Sequence, residues 1–343
     1  MKKYIRKFVN LIYKFLSFFV KKEGVVIIFT KYSQSFENLP IIESALTKNG
    51  IACKVINENV NIFNLYILSS AKVVFIDQAT LITSYIKLNC TTHVVQIWHA
   101  GGAFKKFGYD ASSGTLKDER RIQRIHGNIK WIVTSSTHVS PIYSNAFRIP
   151  IKYVLPLGIP RTDIYLKTKK SNNRVYKTIL YAPTFRVDKF NQRTLNDFSE
   201  TVCLLKKILI KQGFRIAVRL HPTISSKIDE LDVLDWSKKS LYDALSNTDV
   251  LITDYSSILF DYSLFHGRIF WYINDLDKYE VERGIYFNPL VEYPKYSATD
   301  IFDLCDLIVA NHIENCTDIR KKYMNACDGQ STDRIIKFIK ELL

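Results

Sequence analysis

The stretch DVLITDYSSILFDYSLF, residues 249–265, reads as a β-strand that passes directly into a helix. Val250, Leu251 and Ile252 form a short apolar run of the kind buried on both faces of a parallel sheet, and apolar residues return at helical spacing from Ile258. Ser256 and Ser257 sit at the junction. A helix beginning there offers unpaired backbone N–H groups and the positive end of its dipole, which is a cradle for a phosphate built without a glycine loop. Serines also cap helices for purely structural reasons. The residues leave open whether Asp254 and Asp261 orient this loop or take part in chemistry.

The same unit recurs on both sides of that stretch. GVVIIFT (24–30), IACKVIN (51–57), KVVFID (72–77), HVVQIW (93–98) and WIVTSS (131–136) predict strands, with helices over 40–50 and 81–89 and another starting at Ser140-Pro141. After the polar segment KTKKSNNRVYK (167–177) come TILYAPT (178–184), FRIAVRLHP (214–222) and RIFWYI (268–273), with helices near 196–212, 240–247 and 257–266. The pattern predicts an α/β protein of two Rossmann-type, doubly wound domains facing a cleft, residues 23–166 and 167–343.

Residues 1–22, MKKYIRKFVNLIYKFLSFFVKK, precede them. Ile5, Phe8, Val9, Ile12, Phe15, Leu16 and Phe19 follow helical spacing, while Lys3, Arg6, Lys7, Asn10, Lys14 and Ser17 lie largely elsewhere on the wheel. No apolar run here approaches the roughly 20 residues that cross a bilayer, and no small-residue cleavage site follows. A helix lying in the surface of an anionic leaflet is the expectation.

With 343 residues, 47% of them hydrophobic, the chain has ample material for packed cores. A formal charge of +15 calls for an anionic partner without saying which. Nucleic acid is disfavoured, because the aromatics are spread through the strands and the first helix instead of alternating with cations in one stripe. Six cysteines, at 53, 90, 203, 305, 316 and 327, show no CxxC pair and no metal-ligand spacing, so reduced thiols and no metal site are expected.

Ligands of doubly wound sheets bind beyond the carboxyl ends of the strands. Read in order, those ends carry Trp98-His99-Ala100-Gly101-Gly102, Pro160-Arg161-Thr162-Asp163, Ala182-Pro183-Thr184-Phe185-Arg186, Arg219-Leu220-His221-Pro222 and Thr253-Asp254-Tyr255-Ser256-Ser257. His99 is the candidate base: imidazoles ordinarily titrate near neutrality, and Gly101 and Gly102 permit close approach to the backbone, with Lys105 following. His221 is the candidate partner for an anionic oxygen. Arg283-Gly284 adds a cation, and Ser331-Thr332 at the start of the last helix makes a second candidate phosphate cap.

Laid out together, WHAGGAFKKFG, LGIPRTD, ILYAPTFR, RLHP, DVLITDYSSILFDYSLF, ERGIYF and DGQSTDR occur in that order between about residues 90 and 340, and in this the chain resembles the CDP-glycerol glycerophosphotransferases of teichoic acid synthesis. The resemblance implies a GT-B-like fold, CDP-glycerol as donor in the C-terminal domain, a lipid-linked disaccharide acceptor near the N-terminal one, and peripheral attachment to the cytoplasmic face of the cell membrane. It implies His99 as base and His221 as pyrophosphate partner, with no cofactor besides the donor. The long polymerising members usually show Trp-His-Gly-Thr-Pro-Leu-Lys where this chain has Trp-His-Ala-Gly-Gly-Ala-Phe-Lys, and they carry a longer N-terminal extension, so the expected activity is that of the short primases. A CDP-glycerol or CDP-ribitol polymerase and a GT-B glycosyltransferase are the alternatives.

Overall fold

A computed structural model describes residues 2–167, 176–187, 193–194, 197–220 and 228–343. The chain divides into two compact units. Met1–Gly102, Phe107–Ile164 and Tyr323–Leu343 form the first, and Ala103–Lys106 with Tyr165–Lys322 form the second.

The first unit is built on a six-stranded parallel sheet: β1 Gly24–Phe29, β2 Cys53–Asn57, β3 Ala71–Ile76, β4 His93–Gln96, β5 Trp131–Val133 and β6 Val154–Leu155, in the order β2-β1-β3-β4-β5-β6. The apolar runs of β1, β3 and β4 are buried in it, as central strands covered on both faces must be, whereas β2, expected to be buried likewise, is an edge strand that leaves Val55 exposed. The order reverses between β1 and β3, which makes their carboxyl ends the natural crevice of this sheet.

The second unit has β7 Lys177–Ala182, a two-residue antiparallel pair β8 Arg186–Val187 and β9 Arg193–Thr194, then β10 Phe214–Val218, β11 Leu234–Asp235, β12 Val250–Thr253, β13 Arg268–Tyr272 and β14 Ser297–Ala298. Its six-stranded parallel sheet runs β11-β10-β7-β12-β13-β14. Here the order reverses between β7 and β12.

Helix α1, Lys2–Phe19, carries two apolar faces rather than one. Tyr13 is 1% exposed and anchors one face on the first unit. Tyr4, Ile5, Phe8, Leu11, Phe15, Phe18 and Phe19 stand in solvent on the other. Val9, Ile12 and Leu16, expected on the same face as Phe8, are half-buried between the two. Among the described residues no helix is long and apolar enough to cross a membrane.

Two expectations are corrected. The helix predicted over 81–89 reduces to a 3-10 turn, Ile82–Ser84. Beyond that turn the backbone N–H groups are taken by side chains: Lys87 donates to Asn10 Oδ1 (2.7 Å), Leu88 to Asn128 Oδ1 (2.9 Å) and Asn89 to the Tyr13 hydroxyl (3.3 Å). Tertiary partners thus replace the i−4 carbonyls. The β3–β4 connection therefore carries only this turn, while a helix that was not expected, Ile62–Ser69, joins β2 to β3; there Asn61 accepts a bond from the Asn64 N–H and serves as the N-cap.

The second correction concerns the C-terminus, which was expected to lie within a domain running to 343. Helix Ser331–Leu342 belongs instead to the first unit, where Ile335, Ile336 and Ile339 share a core with Val25, Ile27, Val73, Phe75 and Val95. Its first turn is held by Asp163: the Ser331 N–H donates to Oδ1 (2.9 Å), and the Thr332 N–H (2.8 Å) and hydroxyl (2.6 Å) donate to Oδ2. A carboxylate of the chain occupies this helix start, so Ser331 and Thr332 serve the fold and not, as expected, a donor phosphate. Replacing Asp163 by Ala leaves buried donors unsatisfied and is expected to lower stability by about 2 kcal/mol, read as a shift in the urea midpoint at unchanged slope.

Candidate active site

In the first unit the chain leaves β4 through a strained residue. Trp98 has φ +63, a left-handed conformation that costs a bulky side chain on the order of 1–3 kcal/mol. The strain is held in place by packing: the Trp98 ring lies 5.3 Å from both Phe107 and Phe147, and its carbonyl accepts a bond from Asn38 Nδ2 (3.2 Å). The effect is to turn the next residue, His99, out of the sheet.

The half-buried His99 imidazole stacks on Phe36 with ring centroids 5.0 Å apart and 26° between planes. Phe36 ends a four-residue helix, α2 Ser33–Phe36. Arg161, 5% exposed, donates to the His99 carbonyl (2.7 Å) and the Phe36 carbonyl (3.3 Å), while its own N–H donates to Asn38 Oδ1 (3.1 Å). One guanidinium therefore ties together the main chain of Phe36 and His99, whose rings stack. Arg161 positions the histidine, where contact with substrate was expected of it.

The glycines after His99 are packed rather than open. Gly102 has φ +63, and its N–H donates to the Ser135 hydroxyl (2.8 Å), which itself donates to the Tyr323 carbonyl (2.7 Å). A Cβ on Gly101 would collide with the Met324 thioether. Sequence reasoning read these glycines as room for a ligand; they are room for the first unit's own C-terminal segment.

The motif then changes unit. Lys105 forms an antiparallel bridge with Ile285, with Lys106 N–H donating to the Gly284 carbonyl (3.1 Å) and Tyr286 N–H to the Phe104 carbonyl (2.8 Å). Phe104 stacks on Phe287 at 4.3 Å. Four residues next to the candidate base in sequence are thus part of the second unit's fold.

There, at the reversal between β7 and β12, Arg186 joins two carboxylates. Its guanidinium contacts Asp275 through Nε (2.7 Å) and Nη2 (2.9 Å) and Asp254 through Nη1 (3.0 Å). Asp254 also accepts the backbone N–H groups of Thr184 (2.9 Å) and Tyr255 (2.6 Å), which settles it as the residue that orients both loops. Burial raises Asp275, but the Arg186 hydrogen bond and charge outweigh it and hold the carboxyl below the usual range. Tyr255 donates to Asp275 Oδ1 (3.1 Å) and stacks on Tyr279 at 3.7 Å, and burial pushes both phenols up.

The Lys105 ammonium lies 5.9 Å from the Tyr279 ring centre. Burial pushes it down to about 8, with Arg283 and Arg186 adding repulsion against the attraction of Asp254. Thr184, whose buried hydroxyl has no partner among the described residues, lines an adjoining cavity of about 20 Å³ with Pro183, Arg186 and Asp254.

The chain matches, over residues 14–341, the family described as CDP-glycerol:poly(glycerophosphate) glycerophosphotransferase. It belongs to that family. It is 31% identical over 297 residues to the teichoic acid glycerol-phosphate primase of Bacillus subtilis, covering 81% of this chain and 76% of that one. It is 32% identical over 303 residues to the teichoic acid ribitol-phosphate primase of Bacillus spizizenii, covering 82% and 77%. The wall teichoic acid polymerase TagF shares the fold, with a TM-score of 0.74 at 20% identity over 99% of this chain and 96% of that one. The fold is accordingly GT-B-like, with two Rossmann-type parallel sheets.

For this glycerophosphotransferase-family enzyme, the remaining expected site residues fall as follows. Ser256 and Ser257 are half-buried before the five-residue helix Ile258–Tyr262; the Ser256 hydroxyl accepts a 3.4 Å bond from the Ile258 N–H, while Ser257 makes no side-chain cap bond. Arg283 is exposed at the end of helix Leu276–Glu282. Arg219 donates to the carbonyls of Trp236 (2.8 Å) and Lys239 (2.7 Å), holding the loop after β11. His221 lies outside the described residues. Among the described residues no group of three or more histidines, cysteines or carboxylates is gathered as for a metal ion. Asp275 and Tyr279 were missed by sequence reasoning: Asp275 stands just beyond the strand 268–273, a strand end that was not read for chemistry, and Tyr279 lies in the helix that follows, near ERGIYF. Arg186→Met, which strands two partly buried carboxylates, is expected to cost about 3 kcal/mol in urea unfolding, and Asp275→Asn in that background to recover part of it.

Proposed function

We propose that this enzyme transfers glycerol phosphate from CDP-glycerol to a hydroxyl of an undecaprenyl-diphosphate-linked disaccharide. The acceptor oxygen forms a bond to the β-phosphorus, the bond from that phosphorus to CMP breaks, and the hydroxyl proton passes to His99 Nε2, since Nδ1 of that ring is buried. Cations of the second unit, Lys105 and Arg283 with the Ser256-Ser257 turn, neutralise the donor phosphates and the departing CMP. No cofactor or metal is invoked, because the charge to be neutralised matches the cations at hand. The similarity to two primases over about four-fifths of the chain supports the choice of reaction, and the clamped, strained presentation of His99 supports the choice of base. The relatives include a ribitol-phosphate primase, so CDP-ribitol is the second reading for the donor, and the product mass separates the two.

The acceptor's lipid fixes where the reaction takes place. The solvent-facing side of α1, rich in phenylalanine and bordered by Lys3, Lys7 and Lys14, suits the surface of an anionic leaflet, and the neighbouring helix Ile62–Ser69 adds exposed Ile62, Phe63 and Tyr66. This supports a peripheral enzyme on the cytoplasmic face of the membrane.

His99→Ala is expected to lower turnover with a soluble lipid-disaccharide analogue by roughly two to four orders of magnitude while CDP-glycerol binding, measured by calorimetry, stays within a few-fold. Turnover retained within tenfold would place the base elsewhere.

Lys105 supplies a pH signature. Below about pH 8 its ammonium is charged and attracts the donor; above that it is neutral, so donor affinity is expected to fall several-fold between pH 7 and pH 9. Lys105→Arg, which stays charged throughout, should flatten that step; a step that persists in the variant belongs to another group.

A further inference from the structure

Resting on the membrane reading above, a second feature of the first unit says what α1 meets there. The loop that follows Ile82–Ser84 is stitched between α1 and helix Leu116–His126. Asn10 and Tyr13 of α1 accept its N–H groups at Lys87 and Asn89, and Asn128, just beyond the second helix, donates to the carbonyls of Thr83 (2.8 Å) and Ile86 (2.9 Å). Tyr85 sits in the middle of this seam. The Arg6 guanidinium lies 5.2 Å from the centre of its ring.

Three arginines bring positive charge to the seam: Arg6 of α1, seated over Tyr85, and Arg121 and Arg124 of the other helix, with Arg124 within electrostatic reach of the other two. Arg124 feels both neighbours, for burial first and then the charges of Arg6 and Arg121 lower its proton affinity, which happens only when like charges are close. Only Arg121 has an acid, Asp118, with contacts of 2.8 and 2.7 Å. Among the described residues Arg6 and Arg124 have no carboxylate, and the Arg6 Nε is buried without a hydrogen-bond partner. Nearby Glu119 is engaged by Arg148 at 2.6 Å. Arg6 and Arg124 are half-buried and repel one another beside the exposed Arg121, an arrangement that an arriving anion relieves, and guanidiniums are the side chains best shaped for phosphate oxygens.

We propose that Arg6, Arg124 and Arg121, with Tyr85 as their platform, form a binding site for the phosphate of a lipid headgroup. The choice of a lipid over a dissolved phosphate follows from position. The site is made by the face of α1 opposite its exposed aromatic side, and an α-helix with its side chains is only about 10 Å across, so the arginines stand at headgroup depth when Phe15 and Phe18 enter the acyl region. The exposed aromatic face then supplies non-selective attachment, and the arginine seam supplies preference for a phosphate whose charge is exposed.

Co-sedimentation of the full chain with vesicles separates the two contributions. On vesicles containing phosphatidylglycerol, Arg6→Gln/Arg124→Gln is expected to partition roughly tenfold or more weakly than the wild type, since each basic residue near a surface contributes about a factor of five. Its weaker partitioning to pure phosphatidylcholine should be unchanged. Phe15→Ser/Phe18→Ser should lose binding to both, and if it does not, the membrane reading of α1 fails independently of the arginine site. Circular dichroism and the urea midpoint check that both variants fold. Equal loss of the double arginine variant on both vesicles would show that these residues only hold α1 in place, and no loss on either would show that they bind no headgroup; each result overturns the proposal. So would displacement of the wild type from phosphatidylglycerol vesicles by millimolar inorganic diphosphate at constant ionic strength with direct calorimetric binding of that ion, which would assign the seam to a soluble phosphate.

Discussion

The carboxylate of Asp163 on the first turn of the last helix is the contact on which the first unit depends. Parallel strands of five or six residues cannot bury both of their faces without helices, and the helix that closes this one comes from the far end of the chain. Bringing the segment Tyr323–Leu343 back to the first unit requires a specific docking point. Asp163 provides it by satisfying two backbone donors and one hydroxyl at once, and the turn at Gly158, φ +90, leaves no room for a side chain where Ser331 packs. The same returning segment supplies the Tyr323 carbonyl and Met324 that fix Gly102 and Gly101. The C-terminus therefore supports the loop that presents His99, although more than 200 residues separate them in sequence.

Strand positions were legible because burial on both faces leaves an unmistakable run of β-branched residues, as at Val25–Ile28 or Val250–Ile252. Strand ends were legible as candidate chemistry for the same reason: polar residues immediately after such runs stand out. What was not legible was the direction in which those polar residues spend their hydrogen bonds. Arg161, Arg219, Ser331 and Thr332 have the chemistry of phosphate ligands, yet the two arginines donate to the chain's own carbonyls and the Ser331–Thr332 turn donates to the Asp163 carboxylate. Nothing local in LGIPRTD or DGQSTDR says that one motif caps the other across 168 residues. The 81–89 segment failed for a related reason, since its N–H groups are claimed by Asn10 and Asn128, whose positions no window around residue 85 contains.

The motif around His99 shows how one short stretch can serve two units. Its first half is strained at Trp98 and held at the His99 carbonyl by Arg161; its second half, from Ala103, belongs to the second unit as a strand-like bridge at Lys105–Ile285. Loops that carry function on rigid supports are the usual arrangement, and here the support is different at either end of the same loop.

Charge explains which residues remain available for ligands. Arg186 is surrounded by acids that hold its proton more tightly, and it is a structural member for that reason. Lys105 and Arg124 are the opposite case: burial and neighbouring cations weaken their hold on a proton, and no carboxylate hydrogen-bonds either of them among the described residues. Folding alone gives no reason to keep such groups, since an apolar side chain of similar length would pack at lower cost. An anion that arrives from outside reverses the balance, because it removes the repulsion and gains charge-assisted hydrogen bonds in the same step. On this argument a basic chain of +15 is not uniformly sticky. Its useful cations are the few whose charge the fold leaves uncompensated, one set beside the β7–β12 reversal and the other where α1 meets the body of the first unit.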